Sequence, residues 1–179
     1  MFGDASFIGS RADNSAGSFV KFTTVTAQCP TFSRGFSIQS SSHWKLDGNV
    51  VRGTPGSFGI FLNITADNDL VRNDVNDSIV LVNSSNNTIV NNTASDSLGR
   101  QGGIAGGLFG GGNNEIHGNT TNNNTSNGLS IVSGSSENNV TGNTSLNNVA
   151  EDMRDDNPNC DSNKWEGNKF NTASQGCVH

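Results

Sequence analysis

The chain has 179 residues, within the range of one domain, and only 31% of them are hydrophobic. Sixteen acidic against ten basic residues leave a net charge of −6, which repels phosphate backbones, and no Lys/Arg cluster reverses that sign locally. No stretch approaches the ~20 apolar residues of a membrane span, so nucleic acid and the bilayer interior drop out as partners.

Met1-Phe2-Gly3-Asp4 carries neither a basic n-region nor an apolar h-region, so no signal peptide is read in this chain. Either the protein is cytosolic, or a leader, with or without further N-terminal rungs, has been removed; the abrupt entry into the repeat favours removal. Residues 1–34 contain Phe7, Phe19, Val20, Phe22 and Val25 but no clear repeat, and are read as an N-terminal cap or an irregular first rung. From residue 35 to 153 the pattern becomes periodic. An apolar residue is followed three positions later by asparagine at Leu46/Asn49, Leu70/Asn73, Ile89/Asn92, Ile116/Asn119, Val140/Asn143 and, beyond that span, Trp165/Asn168. The asparagines recur at about 24 residues, one interval being shorter (Asn73 to Asn92) and the next longer (Asn92 to Asn119). Around each lead residue the alternation is that of a strand: Ile116 points inward while Glu115 and His117 point out.

Each repeat carries a second apolar piece, as in Gly35-Phe36-Ser37-Ile38, Gly59-Ile60-Phe61-Leu62, Ser78-Ile79-Val80-Leu81 and Gly128-Leu129-Ser130-Ile131. The links between the pieces, such as Ser84-Ser85-Asn86-Asn87, are turn-formers and too short to hold helices. Short β segments at this period describe an all-β solenoid, a parallel β-helix of about six to seven rungs. A rung of this length buries its apolar face only by stacking on its neighbours, about 4.8 Å away. The recurring asparagine then stacks on itself, and an amide carries both a donor and an acceptor, so a column of Asn49, Asn73, Asn92, Asn119, Asn143 and Asn168 can hydrogen-bond rung to rung without net charge. The long interval holds eight glycines between Gly99 and Gly112, read either as a functional loop or as an excursion without chemistry of its own.

After Met153 the pattern degrades, and residues 154–179 are read as a C-terminal rung and cap, with Trp165 and Phe170 covering the last rung. Cys160 and Cys177 flank it. A bridge there closes a loop of about 17 residues and contributes roughly 3 kcal/mol in the chain-entropy model; two reduced, buried thiols are the alternative. A bridge favours an oxidising compartment. Cys29 is left over. The spacing Asp155-x-Asn157-x-Asn159-x-Asp161…Glu166 approaches that of a calcium loop, but Cys160 stands where glycine is wanted, and a capping turn is the reading preferred.

The Asn-Asn-x-apolar-x-x-Asn rungs and the closing Asp155-Asp156-Asn157-Pro158-Asn159-Cys160…Trp165-Glu166-Gly167-Asn168-Lys169-Phe170…Cys177 resemble bacterial right-handed parallel β-helix repeat proteins. These belong to the pectate-lyase-like group, which includes NosD-like and carbohydrate-processing members. The resemblance covers roughly residues 35–179. It implies a right-handed coil, and an activity that the shared rungs alone do not define. Lyases of that group hold calcium with acidic residues beside an Arg or Lys base, and here Asp67, Asp69, Asp74 and Asp77 gather near Arg52 and Arg72. Aligning the rungs puts Lys45 beside Asp69 and Val50 beside Asp74. The catalytic candidates are therefore Arg72, Asp69 and Asp74, with Asp69 and Asp74 as possible calcium ligands; a solvated face with incidental ion pairs is the competing reading. Glu115 and His117 are binding candidates. Epimerases of this fold employ a tyrosine, and the chain has none. A copper role like that of NosD-type members gains little from two methionines, Met1 and Met153. The reading is a secreted or cell-surface β-helix that binds polysaccharide along its outer face. A lyase or hydrolase and a structural or adhesive rod are the alternatives.

Overall fold

The computed structural model describes residues 18–26, 34–52 and 58–179. The Cys29 thiol and most of the 1–34 segment therefore lie outside the described residues. Within them the chain coils as a parallel β-helix; the first four coils pass through three sheets in the same order, and the next two through the first and third. The first sheet has seven strands: Phe19–Lys21, Lys45–Asp47, Asp69–Val71, Thr88–Val90, Glu115–His117, Asn139–Thr141 and Lys164–Glu166. The second has four, Thr24–Thr26, Val50–Arg52, Asp74–Val75 and Thr93–Ala94. The third has six, Arg34–Gln39, Phe58–Asn63, Ser78–Val82, Ile104–Leu108, Leu129–Ile131 and Met153–Asp155. All pairings are parallel, and the first sheet keeps perfect register from Phe19↔Lys45 to Thr141↔Glu166.

Two apolar pieces per repeat are legible in the sequence, and they form the first and third sheets. The second sheet is the difference. It contributes one inward residue per coil, Val25, Val51, Val75 and Ala94, and then fades into isolated bridges Thr93↔Thr120, Thr120↔Thr144 and Thr144↔Lys169. The inward positions that follow Ala94 are Thr121 and Ser145, both fully buried, so this side of the core loses its apolar row where the strands give out. Elsewhere the interior of the coil is one column, with a smaller separate cluster of Phe61, Val80 and Ala105 on the third sheet. Leu46, Leu70, Ile89, Ile116, Val140 and Trp165 come from the first sheet, and Phe36, Ile38, Ile60, Leu62, Ile79, Leu81, Ile104, Leu129, Ile131 and Met153 from the third. At ~25 cal/mol per Å² of apolar area this column is the main force holding rung to rung.

The asparagine ladder is present. Asn49, Asn73, Asn92, Asn119 and Asn143 each donate from Nδ2 to Oδ1 of the next asparagine, at 2.9–3.1 Å, ending on Asn168. The same Nδ2 groups also donate to a main-chain carbonyl of the preceding rung, such as Asn73 to Leu46 and Asn119 to Ile89. A second column runs parallel to it, Asn68, Asn87, Asn114, Asn138 and Asn163, with Nδ2···Oδ1 distances of 2.8–3.0 Å. A third, shorter one links Asn124 to Asn148 and Asn148 to Asp152. Each ladder closes a corner of the coil, where main-chain N–H groups would otherwise be buried without partners.

At the C-terminal end, Cys160 and Cys177 form a disulfide with a Cα–Cα distance of 6.0 Å. Asp155, buried behind it, accepts hydrogen bonds from Asn157, Asn163 and the indole Nε1 of Trp165. Its carboxylate therefore faces inward and holds the cap together, as a capping turn requires.

Candidate functional site

The register places Lys45 beside Asp69 and Val50 beside Asp74, as the alignment of rungs expects. Asp69 stands on a strand of the first sheet and Asp74 on a strand of the second, on either side of the corner that Asn73 closes. Arg72 occupies that corner in a left-handed conformation with φ of 53°. The equivalent position is Gly48, Asn91, Gly118, Gly142 or Gly167 on five other rungs, residues that reach positive φ more cheaply than arginine, and Phe22 (φ 50°) on the first.

The Arg72 guanidinium pairs with Asp47 on the preceding rung, Nη2 at 2.6 Å and Nε at 3.1 Å from the same oxygen. Asp47 is only 4% exposed, with Lys21 on its other side at 3.8 Å. The hydrogen bond from Arg72 holds the Asp47 carboxyl below its ordinary range; burial opposes this, and the charges of Arg72, Lys21 and Lys45 reinforce it. Asp74 pairs separately with Arg52. Arg72, Asp69 and Asp74 thus do not share one cluster of contacts. Among the described residues no three His, Cys, Asp or Glu side chains gather as a metal site, and calcium gains no support from this face.

Glu115 and His117 project from the same outer face of one strand of the first sheet, both exposed. His117 Nδ1 lies 2.9 Å from Thr141 Oγ1 on the next rung. Glu115 lines a groove of 310 Å³ with Asn86, Asn113, Glu137 and Asn139, at the corner where the chain leaves the third sheet for the first. A second groove of 360 Å³ lies on the same corner toward the N-terminal rungs. Ser40, Ser41, Ser42, Ile64, Thr65, Ala66, Asn83 and Ser85 line it, three successive coils contributing. Trp44 Nε1 donates to Ser41 Oγ at 2.9 Å, and Ser42 Oγ lies 2.8 Å from His43 Nδ1, so part of this lining is held in place by its own rung.

These grooves are what the sequence reading did not single out. Their residues belong to turns that read simply as links between strands. The available signal was serine or asparagine at the same place in successive links, interrupted by an apolar residue at Ile64.

A family model described as "Periplasmic copper-binding protein (NosD)" matches residues 14–125. The comparisons with curated proteins and with solved structures each returned no match. Copper wants thiolate, thioether or imidazole donors converging on one point. Among the described residues, His43 sits in a turn, His117 on the first sheet and His179 at the chain's last position, each on a different part of the rod. Met153 is buried in the core, and Cys160 and Cys177 are bonded to one another. The donor set in the described residues does not fit copper.

Proposed function

This chain belongs to the NosD family, and from that premise we propose that it is a β-helix domain of the periplasm or cell surface that recognises polysaccharide along one corner of the rod. The periplasm is the compartment the family's description gives, and it is one in which a disulfide such as Cys160–Cys177 persists. The observation that carries the reading is the pair of grooves at the third-to-first sheet corner. Hydroxyls and amides line them on successive coils, each able both to donate and to accept, which suits the hydroxyls of a sugar chain. The coil spacing of about 4.8 Å sets polar groups from successive rungs along the axis, so that a polymer laid there meets hydroxyls or amides at each step. Glu115 adds an acceptor to the second groove, and His117 lies two residues further along the same face.

The test is a panel of acidic and neutral polysaccharides, with calcium and with chelator, in which binding and soluble products are followed together. Saturable binding without products, unchanged by chelator, is the expected result. Absence of binding across the panel would overturn the reading. Product release would turn attention to Arg72, Asp69 and Asp74 as catalytic residues, with Arg72→Ala as the deciding variant.

A further inference from the structure

After four of the six strands of the third sheet, at the 360 Å³ groove and one rung beyond it, the next residue takes a left-handed backbone: Ser40 (φ 48°), Ile64 (φ 53°), Asn83 (φ 45°) and Phe109 (φ 62°). The pairings Gln39↔Asn63, Asn63↔Val82 and Val82↔Leu108 put these four in one column, a residue to a rung. Ser40, Ile64 and Asn83 line the groove, and Phe109 stands one rung beyond. Left-handed φ is tolerated by asparagine and glycine, whereas a β-branched or bulky side chain is out of place there. Ile64 and Phe109 are the two exceptions in the column. Burial offers no compensation, since Ile64 is 58% exposed and Phe109 83% exposed. Neither the backbone nor the core gains from isoleucine or phenylalanine at these positions, which directs attention to a ligand.

The two apolar side chains stand two rungs apart, roughly 10 Å along the axis. Between and beside them lie the hydroxyls of Ser40, Ser41, Ser42 and Ser85 and the amide of Asn83. A pyranose presents the same division, C–H groups on its faces and hydroxyls at its edge. No Lys, Arg, Asp or Glu lines this groove, so an ionised sugar would find no partner for its charge there, and the net charge of −6 repels a polyanion besides.

We infer that the groove takes an uncharged glycan chain laid along the rod axis, with Ile64 and Phe109 stacked against the C–H faces of sugar units two rungs apart. This rests on the polysaccharide reading of the same corner and adds to it the substrate class and the residues that select it.

The experiment is calorimetry of the whole chain with cellohexaose, mannohexaose and maltohexaose, and with hexagalacturonate as the charged counterpart. The variants are Phe109→Gly and Ile64→Asn, both of which suit the left-handed backbone and so keep the fold. At least one uncharged hexasaccharide binds, hexagalacturonate does not, and each variant weakens binding by roughly tenfold while its melting temperature equals or exceeds that of the parent chain. Wild-type affinity in both variants would overturn the role of Ile64 and Phe109 and leave the polysaccharide reading standing. Tight binding of hexagalacturonate would overturn the uncharged class. A lowered melting temperature accompanying the loss of binding would make the two side chains structural, which also overturns the proposal. No binding of any hexasaccharide or polymer by the parent chain would remove both readings together.

Discussion

Asn119 shows what a ladder residue does that no near-isostere can. Its Nδ2 donates to the Ile89 carbonyl at 2.7 Å and to Asn143 Oδ1 at 3.0 Å, while its Oδ1 accepts from the main chain and side chain of Asn92. Aspartate keeps the acceptor and loses the donor. At neutral pH it also sets a buried charge against two oxygens. Asn119→Asp is therefore expected to cost about 3 kcal/mol near pH 7, and less near pH 3, where a protonated carboxyl regains one O–H donor. Urea unfolding at the two pH values measures it. An equal loss at both would rule out charge as the cause.

At the scale of the column, direction matters. In all three ladders the main-chain N–H and one N–H of Nδ2 point toward the C-terminal rung, and the Oδ1 atoms point back. The last member of a column must then accept without needing to donate in turn. Asp152 does this for the third column: one oxygen takes the main-chain and side-chain N–H of Asn148, the other the main-chain N–H groups of Asn171 and Thr172. Burial, the largest single influence, pushes the Asp152 carboxyl up. The amides of Asn148, Asn171 and Thr172 together outweigh it and hold the group below its ordinary value. A carboxyl depressed in the folded state stabilises fully above the unfolded value of about 3.9, and that contribution drains away as pH falls through the folded value. Asp152→Asn turns an amide donor toward N–H groups and is expected to cost roughly 1–3 kcal/mol at neutral pH. The gap from the parent chain should narrow in acid, and guanidinium unfolding between pH 2 and pH 7 checks it. A gap that is constant with pH would mean that the carboxylate charge plays no part.

The columns also explain how far the sequence could be read. The first ladder was legible because each asparagine follows a conspicuous apolar residue at a fixed offset. The second, Asn68 through Asn163, lies two residues before the same apolar markers, but it falls inside runs of Ser and Asn whose composition already spells turn. The second sheet was hidden because a strand of two or three residues with one inward side chain has no period to detect. The acidic cluster around Arg72 was visible as composition. Which carboxylate the guanidinium takes was decided by the corner after Asp47, a matter of rung-to-rung geometry rather than of spacing along the chain. The grooves escaped notice for the same reason, being assembled from turns on three coils.

Taken as a whole, the molecule is a stack in which each coil touches only the coils above and below, so its stability is distributed rung by rung rather than held in one centre. The C-terminal end carries a local staple: the Cys160–Cys177 bridge closes 17 residues over Trp165, and Asp155 ties Asn157, Asn163 and the indole beneath it. In a globular core, loss of such a bridge would lower stability everywhere. In a one-dimensional stack it lowers the cost of opening the terminal coil and leaves the middle coils with their own neighbours intact. Cys177→Ser is therefore expected to speed hydrogen exchange in Lys164–Glu166 and Met153–Asp155, by an amount equivalent to roughly 3 kcal/mol of local opening. Asp69–Val71, separated from the cap by the coils of Thr88–Val90, Glu115–His117 and Asn139–Thr141, should exchange as in the parent chain. Rung-resolved exchange by mass spectrometry after pepsin digestion reads both regions in one experiment. Uniform acceleration along the rod would show that the coils unfold as a single cooperative unit and that the bridge stabilises the whole of it.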